Sequence, residues 1–377
     1  MRIQYRLFII SLVLAVSYGC EKERSIELEN VARFSIEEAD PITITKDRSY
    51  FGALHSTVKK IGDVAVDSTG NVYMVDEYRK RIQVYNSSGL NIGSIGKAGG
   101  DPGEFLKPGK LTIGGNTLYA YDESLYRVNN YDLDRSVFED FIQLNVADSL
   151  GVDSLQNTVP KQFYVMADGN YLVAFQKVNA PDDRSLHFYK VNTEGEVISD
   201  QLMTFKSKSL YIDNTMTNQV IMMLPYEKET LLATDSQNNI YTLNTEDFLI
   251  KVWDAEGKYL RAYEYPFQKR DLEESDVVEM FTNVFQRRAI RGAELPSEWP
   301  AVARFLVDDK DRFWVATITE NLENYRWYVL ENSGEVLGTF DFPRKSKIKT
   351  IQANYVYAVE LNRRYYSEEV VKYIVEF

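Results

Sequence analysis

The chain has 377 residues and a formal net charge of −13, with 43 Lys and Arg against 56 Asp and Glu. Acidity of that size opposes non-specific association with nucleic acid or anionic lipid, so no nucleic-acid partner is expected. Aromatic residues make up 13% of the sequence, which argues against disorder and suits a chain of many strands.

Arg2 and Arg6 form a basic start, residues 7–16 an apolar run too short to span a bilayer, and Ser17-Tyr18-Gly19 a polar exit. Residues 1–19 therefore read as a secretory leader. Cys20 follows, the only cysteine in the sequence. Small Gly19 directly before Cys20 resembles a bacterial lipoprotein precursor, although Ser17 stands where that family has an aliphatic residue. The resemblance implies cleavage after Gly19, lipid on Cys20, and the membrane as a partner through that lipid. A plain secretory leader with an incidental cysteine is the alternative. Glu21-Lys22-Glu23-Arg24 opens a polar tether over 20–30, too charged to pack. No Asp follows Cys20, which by the same resemblance implies an outer-membrane lipoprotein facing the periplasm or the cell surface.

Residues 31–44 hold Phe34, Ile36, Ile42 and Thr43, enough for one or two strands. Residues 61–105 then carry a unit of short strands: 64–67, a turn at Ser68-Thr69-Gly70-Asn71, 72–76, 82–85, a Ser88-Gly89 turn, and 90–95. The linker Gly99-Gly100-Asp101-Pro102-Gly103-Glu104-Phe105 forces a reversal. Similar units recur over 111–144, 163–198, 231–263 and 305–340, and an incomplete one over 348–375. Asp67, Asp235 and Asp308 share one register, and Gly89, Gly195, Gly257 and Gly334 another. The last unit has three strands, so an open edge is expected unless another segment covers it. The strand near Phe34 and Ile36 is expected to fill that place beside Tyr373 and close a ring. Between the fourth and fifth units, residues 271–288 place Leu272, Val277, Val278, Phe281, Val284 and Phe285 near helical spacing, with Asp271 as a cap.

The Asp-turn-Gly-Asn register, the aromatic second strand and the Gly-Asp-Pro-Gly-Glu-Phe linker resemble NHL-type repeats. The assembly resembles the six-bladed β-propeller lipoproteins of bacteria. The resemblance implies an all-β, six-bladed propeller over 31–377, with seven blades as the alternative because insertions stretch the fourth and fifth units.

Only His55 and His187 are present, a poor supply for a transition-metal site, so neither metal ligands nor catalytic residues are assigned. Calcium in the axial channel is known in lactonase-type propellers, and Asp67, Asp235 and Asp308 are its candidate ligands. Their place beside tight turns favours a different role, each carboxylate accepting N–H groups of its own turn. Loops after each second strand gather at one mouth of the ring with the linkers between units. There Arg79, Arg81, Tyr126, Arg127, Arg326, Arg364 and Tyr365, with Arg287 from the insertion, are the candidate ligand-binding residues for an anionic or sugar-like group. The expected function is a monomeric, lipid-anchored, non-enzymatic binding module for an envelope protein, peptide or glycan. A lactonase-like hydrolase or lyase acting in the channel is the rival, and an envelope-complex part docking through the insertion a third reading.

Overall fold

The computed structural model describes residues 28–51, 58–144, 155–214 and 219–377. The leader, Cys20, most of the tether and His55 lie outside them. Two strands precede the repeats, β1 (Val31–Arg33) and β2 (Thr43–Tyr50). The first blade is β3–β6 (Ile61–Val66, Val72–Asp76, Arg81–Tyr85, Asn91–Ile95) and the second β7–β10 (Pro108–Gly114, Thr117–Asp122, Arg127–Asp132, Val137–Gln143). The third is β11–β14 (Thr158–Val165, Tyr171–Val178, Arg184–Val191, Met203–Lys206), followed by a hairpin, β15–β16 (Tyr211–Asp213, Val220–Met222). The fourth is β17–β20 (Thr230–Thr234, Ile240–Asn244, Leu249–Trp253, Tyr259–Glu264), and two helices follow, α1 (Glu274–Glu279) and α2 (Val284–Arg291). The fifth is β21–β24 (Val302–Val307, Phe313–Ile318, Asn324–Leu330, Val336–Pro343). The sixth is β25–β27 (Lys347–Gln352, Tyr355–Asn362, Ser367–Glu376).

Each blade is an antiparallel meander whose first strand faces the axis. Second strands are covered on both faces by neighbouring blades, so they read as unbroken apolar runs: β4 and β22 are buried along their whole length. Fourth strands lie at the rim, and β6 is exposed at all but its last residue. The turn between first and second strands is tight, and Gly70 meets its demand with φ +84°. Side chains of adjacent blades interlock into shared cores, such as Tyr241, Ile250 and Tyr263 of the fourth blade with Phe305, Phe313 and Val315 of the fifth.

The ring closes because β2 pairs antiparallel with β27, Lys46 opposite Tyr373, and completes the sixth blade. This corrects the expectation that the strand near Phe34 and Ile36 does so. Residues Val31–Arg33 instead run parallel along β20 of the fourth blade. Phe34 packs on Tyr263 and Tyr265 at 6.0 and 5.7 Å, and Ile36 is buried in the seam between the fourth and fifth blades. Lys46-Asp47-Arg48 concealed the closing strand in the sequence. A bulge between Lys46 and Arg48 absorbs the extra residue, and Asp47 lies 3.1 Å from Arg48 and 3.4 Å from Lys372.

The insertion also differs from its expected form. One helix over 271–288 becomes two, broken before Asn283, whose Oδ1 accepts from the N–H of Phe285 at 2.8 Å and caps α2. Asp271 forms a bridge with Glu298 and caps nothing. The helices pack on β15–β16 through Val277, Val278, Ala289, Ile290 and Met222, with Trp299 at the centre. The third blade's outer strand is β14, beyond Val197 and Ile198, where the sequence pattern placed it. Among the described residues no helix is long and apolar enough to cross a membrane.

Candidate functional site

The loops joining second to third strands share one end of the ring with the linkers between blades, here called the linker face. The eight candidate residues do not form one cluster there. Arg79 donates its backbone N–H and a guanidinium N–H to fully buried Asp76, at 2.9 and 3.0 Å. The Arg81 guanidinium lies 2.9–3.0 Å from the side-chain oxygen of Gln83 in that amide's satisfied orientation. Buried Arg127 donates to the carbonyls of Gly100 at 3.0 Å, Glu104 at 2.9 Å, and Asp101, fastening the glycine-rich linker to the second blade. Tyr126 adopts φ +52° in its turn, and its carbonyl accepts from Leu144 N at 2.8 Å. Arg326 forms a two-pronged pair with Asp341 at 2.8 and 3.1 Å on the exposed outer half of the fifth blade. Arg287 donates to the Phe281 carbonyl inside the insertion. Arg364 lies over the Tyr365 ring at 5.3 Å, and Tyr365 stacks on Phe51 at 4.8 Å. None of the eight lines the axial channel.

That channel, about 840 Å³, is walled by all six innermost strands. Its chemistry comes from one repeated position, the fourth residue before the turn that ends each inner strand. In chain order the position holds Asp63, Lys110, Gln162, Leu231, Arg304 and Lys349. In every blade but the fourth, the inner strand carries a β-bulge there: between Ile61 and Val64, Pro108 and Leu111, Pro160 and Gln162, Val302 and Arg304, and Ile348 and Thr350. A bulge re-aims a side chain at the expense of a regular ladder bond. Four of these bulges present a charged residue to the channel, and the fourth blade, with no bulge, presents Leu231.

The charges around this ring are unevenly matched. The Lys349 ammonium donates to the Gly62 carbonyl at 2.6 Å and lies 3.7 Å from Asp63. Asp63 also accepts the backbone N–H of Leu111 at 3.0 Å, joining the first blade to the second. Burial pushes the Asp63 carboxyl above the usual range, while Lys349 and the Leu111 N–H pull it back. Lys110 faces the open channel with its ammonium 4.1 Å from the Tyr164 ring centre. The surrounding protein pushes that ammonium below the usual lysine range, against the attraction of Asp63. The Tyr164 hydroxyl lies 3.1 Å from Gln162 Oε1 and 3.3 Å from the Leu232 carbonyl, and burial raises its pKa. Arg304 is exposed to the channel, and its guanidinium makes no hydrogen bond or ion pair among the described residues.

Sequence reasoning missed this ring. The signal was a charged residue four places before two of the three register aspartates, Asp63 before Asp67 and Arg304 before Asp308, in otherwise apolar strands. The register aspartates are engaged within their turns. Asp67 Oδ1 accepts from Thr69 N and Asn71 N at 2.9 Å each, and Oδ2 from Asn71 Nδ2 at 2.9 Å and Tyr73 Oη at 3.1 Å. Asp235 repeats the scheme with Gln237, Asn239 and Tyr241. Their oxygens point at donors rather than converging on a cation. Among the described residues no group of three or more His, Cys, Asp or Glu is placed to hold a metal. His187 lies on β13, within 2.8 Å of Ser185 Oγ and 2.6 Å of Gln201 Oε1, away from the axis.

Residues 55–288, more than half of the chain, match the family model DUF5128, described as a 6-bladed beta-propeller. The chain belongs to that family. Solved structures of low sequence identity are similar to this chain in fold. A Bacteroides fragilis protein named as exported aligns over 92% of this chain and 99% of its own, at 11% identity and TM-score 0.53. A duf4221 member from Bacteroides vulgatus aligns over 90% and 99%, at 12% identity and TM-score 0.52. The virginiamycin B lyase of Staphylococcus aureus aligns over 88% and 99%, at 9% identity and TM-score 0.43, too remote to bear on chemistry. No curated protein matches in sequence.

Proposed function

We propose that this propeller is an envelope binding module, built of NHL-type repeats and anchored by lipid on Cys20, that takes a small ligand through the linker face into its axial channel. The observation that supports this most is the bulged ring. Five inner strands interrupt their ladders at one equivalent position, and the side chains so placed include Asp63, Lys110, Arg304 and Lys349. Packing gains nothing from charges on an axis; a ligand that fills the space does. The loop residues Glu77, Lys107 and Glu123 line the same cavity, so the ring opens toward the linker face.

Native mass spectrometry on protein extracted from its own envelope is expected to show a small-molecule mass on the wild type. The Lys110→Ala/Arg304→Ala variant is expected to lack it. Identical spectra for both would overturn the channel as the binding site. Lys110 favours one rival reading, since an amine with a lowered pKa is what a base or nucleophile in a channel lyase needs. Turnover abolished by Lys110→Arg, with ligand binding intact, is the result that reading requires.

The anchor has its own test. Feeding cells an alkyne fatty acid is expected to label the wild type in the membrane fraction, and to leave Cys20→Ala unlabelled and released. Unlabelled wild type would overturn the anchor.

A further inference from the structure

We infer that the channel ring is a carboxylate site, and that its ligand is a small hydroxylated acid of the uronic-acid type; this rests on the channel reading above. The argument begins with which charges are already matched. Glu123 at the rim is held by Lys107 at 2.7 Å and Lys161 at 3.6 Å, and Glu77 is paired with Lys60. Asp309 accepts the backbone N–H of Ala353 at 3.0 Å. Lys349 and Asp63 face one another, and each has a backbone partner besides. Two cations are left over. Arg304 has no partner among the described residues, and Lys110 has the Tyr164 ring and the shared field of Asp63.

These two stand on the second and fifth blades, opposite one another in a ring of six, so an anion on the axis lies between them. The protein as a whole carries −13, yet the bulged position sets Lys110, Arg304 and Lys349 against Asp63 alone, a local excess of positive charge that channel walls of low dielectric focus. The two cations differ in kind. The Arg304 guanidinium is a planar fork whose parallel N–H groups match both oxygens of a carboxylate. The Lys110 ammonium is a point charge beside a π face.

The remaining ring groups choose among anions. Tyr164 lines the channel next to Lys110, and its hydroxyl, 3.1 Å from Gln162 Oε1, supplies a neutral polar group for ligand hydroxyls. The Tyr164 ring and Leu231 give apolar surface for the carbon face of a sugar. The volume of about 840 Å³ lies within the range of pockets that hold sugar-sized ligands, and is larger than an inorganic anion fills. A sugar acid uses all of these features together, whereas a neutral sugar leaves the two cations unmatched.

The test is calorimetric titration of the full-length, detergent-solubilised protein with galacturonate, galactose and inorganic phosphate. Galacturonate is expected to bind, with galactose and phosphate each at least about tenfold weaker. Arg304→Ala is expected to weaken galacturonate about tenfold or more and to bring it level with galactose. Arg304→Lys keeps the charge without the fork and should fall between. Arg135→Ala, a rim substitution in the second blade, serves as the control that leaves affinity unchanged. Because Arg304 is exposed and unpartnered, thermal unfolding of its variants should match the wild type, which separates lost binding from lost folding. Galactose or phosphate binding as tightly as galacturonate overturns the carboxylate assignment, as does galacturonate failing to bind at about 10 mM. If an uncharged molecule co-purifies and is lost from Lys110→Ala/Arg304→Ala, the channel reading survives and the carboxylate falls. If nothing co-purifies and no probe binds, both fall.

Discussion

Asp308→Ala is expected to destabilise the protein by about 3–5 kcal/mol, more than the same change at either of its two register equivalents. The Asp308 side chain is fully buried and that of Arg312 only 8% exposed. One carboxylate oxygen accepts the backbone N–H groups of Lys310 and Arg312, at 3.0 and 2.9 Å. The other accepts Arg312 Nε at 2.8 Å and the Trp314 indole N–H at 2.9 Å. Trp314 is itself fully buried between the fifth and sixth blades. Alanine leaves a buried guanidinium with only Asn354, at 2.8 Å, and the Phe377 ring, at 4.6 Å, while the indole N–H keeps no partner. In the first and fourth blades the corresponding partners are neutral, Asn71 with Tyr73 and Asn239 with Tyr241. Asp67→Ala and Asp235→Ala therefore strand neutral donors and should cost about 1–3 kcal/mol. Guanidinium unfolding followed by tryptophan fluorescence measures all three. An Asp308 loss no larger than the Asp235 loss would show that the charge of Arg312 is unimportant to the turn.

The blades were legible because their physics is local. A second strand enclosed by neighbours has no polar face, so runs such as Phe313–Ile318 stand out, and turn glycines mark the reversals. The role of the register aspartates was legible for the same reason, since donor and acceptor are within six residues of each other. What escaped the sequence was whatever depends on distant partners. The charged run at Lys46-Asp47-Arg48 carries no strand pattern of its own, because Lys372, which accommodates Asp47, lies at the other end of the chain. Arg127 resembled a ligand-binding residue until the carbonyls of Gly100, Asp101 and Glu104 were seen to surround its guanidinium. The channel ring is the extreme case. It takes one residue from each unit, and those residues become neighbours only when the circle is closed.

That closure carries the second large effect: Tyr50→Ala is expected to cost about 3–5 kcal/mol and also to change the state of association. Tyr50 is 1% exposed and ends the strand that completes the sixth blade. Its ring lies 6.3 Å from that of Tyr85 in the first blade and 6.2 Å from that of Tyr357 in the sixth. The core around it joins Ile61, Val64 and Met74 to Val359 and Val370, so the side chain fills the seam where the two ends of the repeat meet. Loss of an aromatic of this size leaves a cavity that a rigid ring collapses poorly around. The consequence differs from that of a buried residue elsewhere, because β2 is the strand that covers the outer side of β27, with Val58 bridging Glu368 beyond its end. Weakening its hold bares the edge of β27 over Val370–Glu376, a template for pairing with another chain. Ile36→Ala is the informative contrast. Ile36 is buried in the seam between the fourth and fifth blades, and its truncation should cost about 2–5 kcal/mol while leaving the circle shut. Light scattering after chromatography in mild urea is expected to find oligomers for Tyr50→Ala and monomer for Ile36→Ala at matched loss of stability. Monomer for both would mean that the β2–β27 pairing holds without its aromatic anchor, and that closure is carried by the backbone ladder alone.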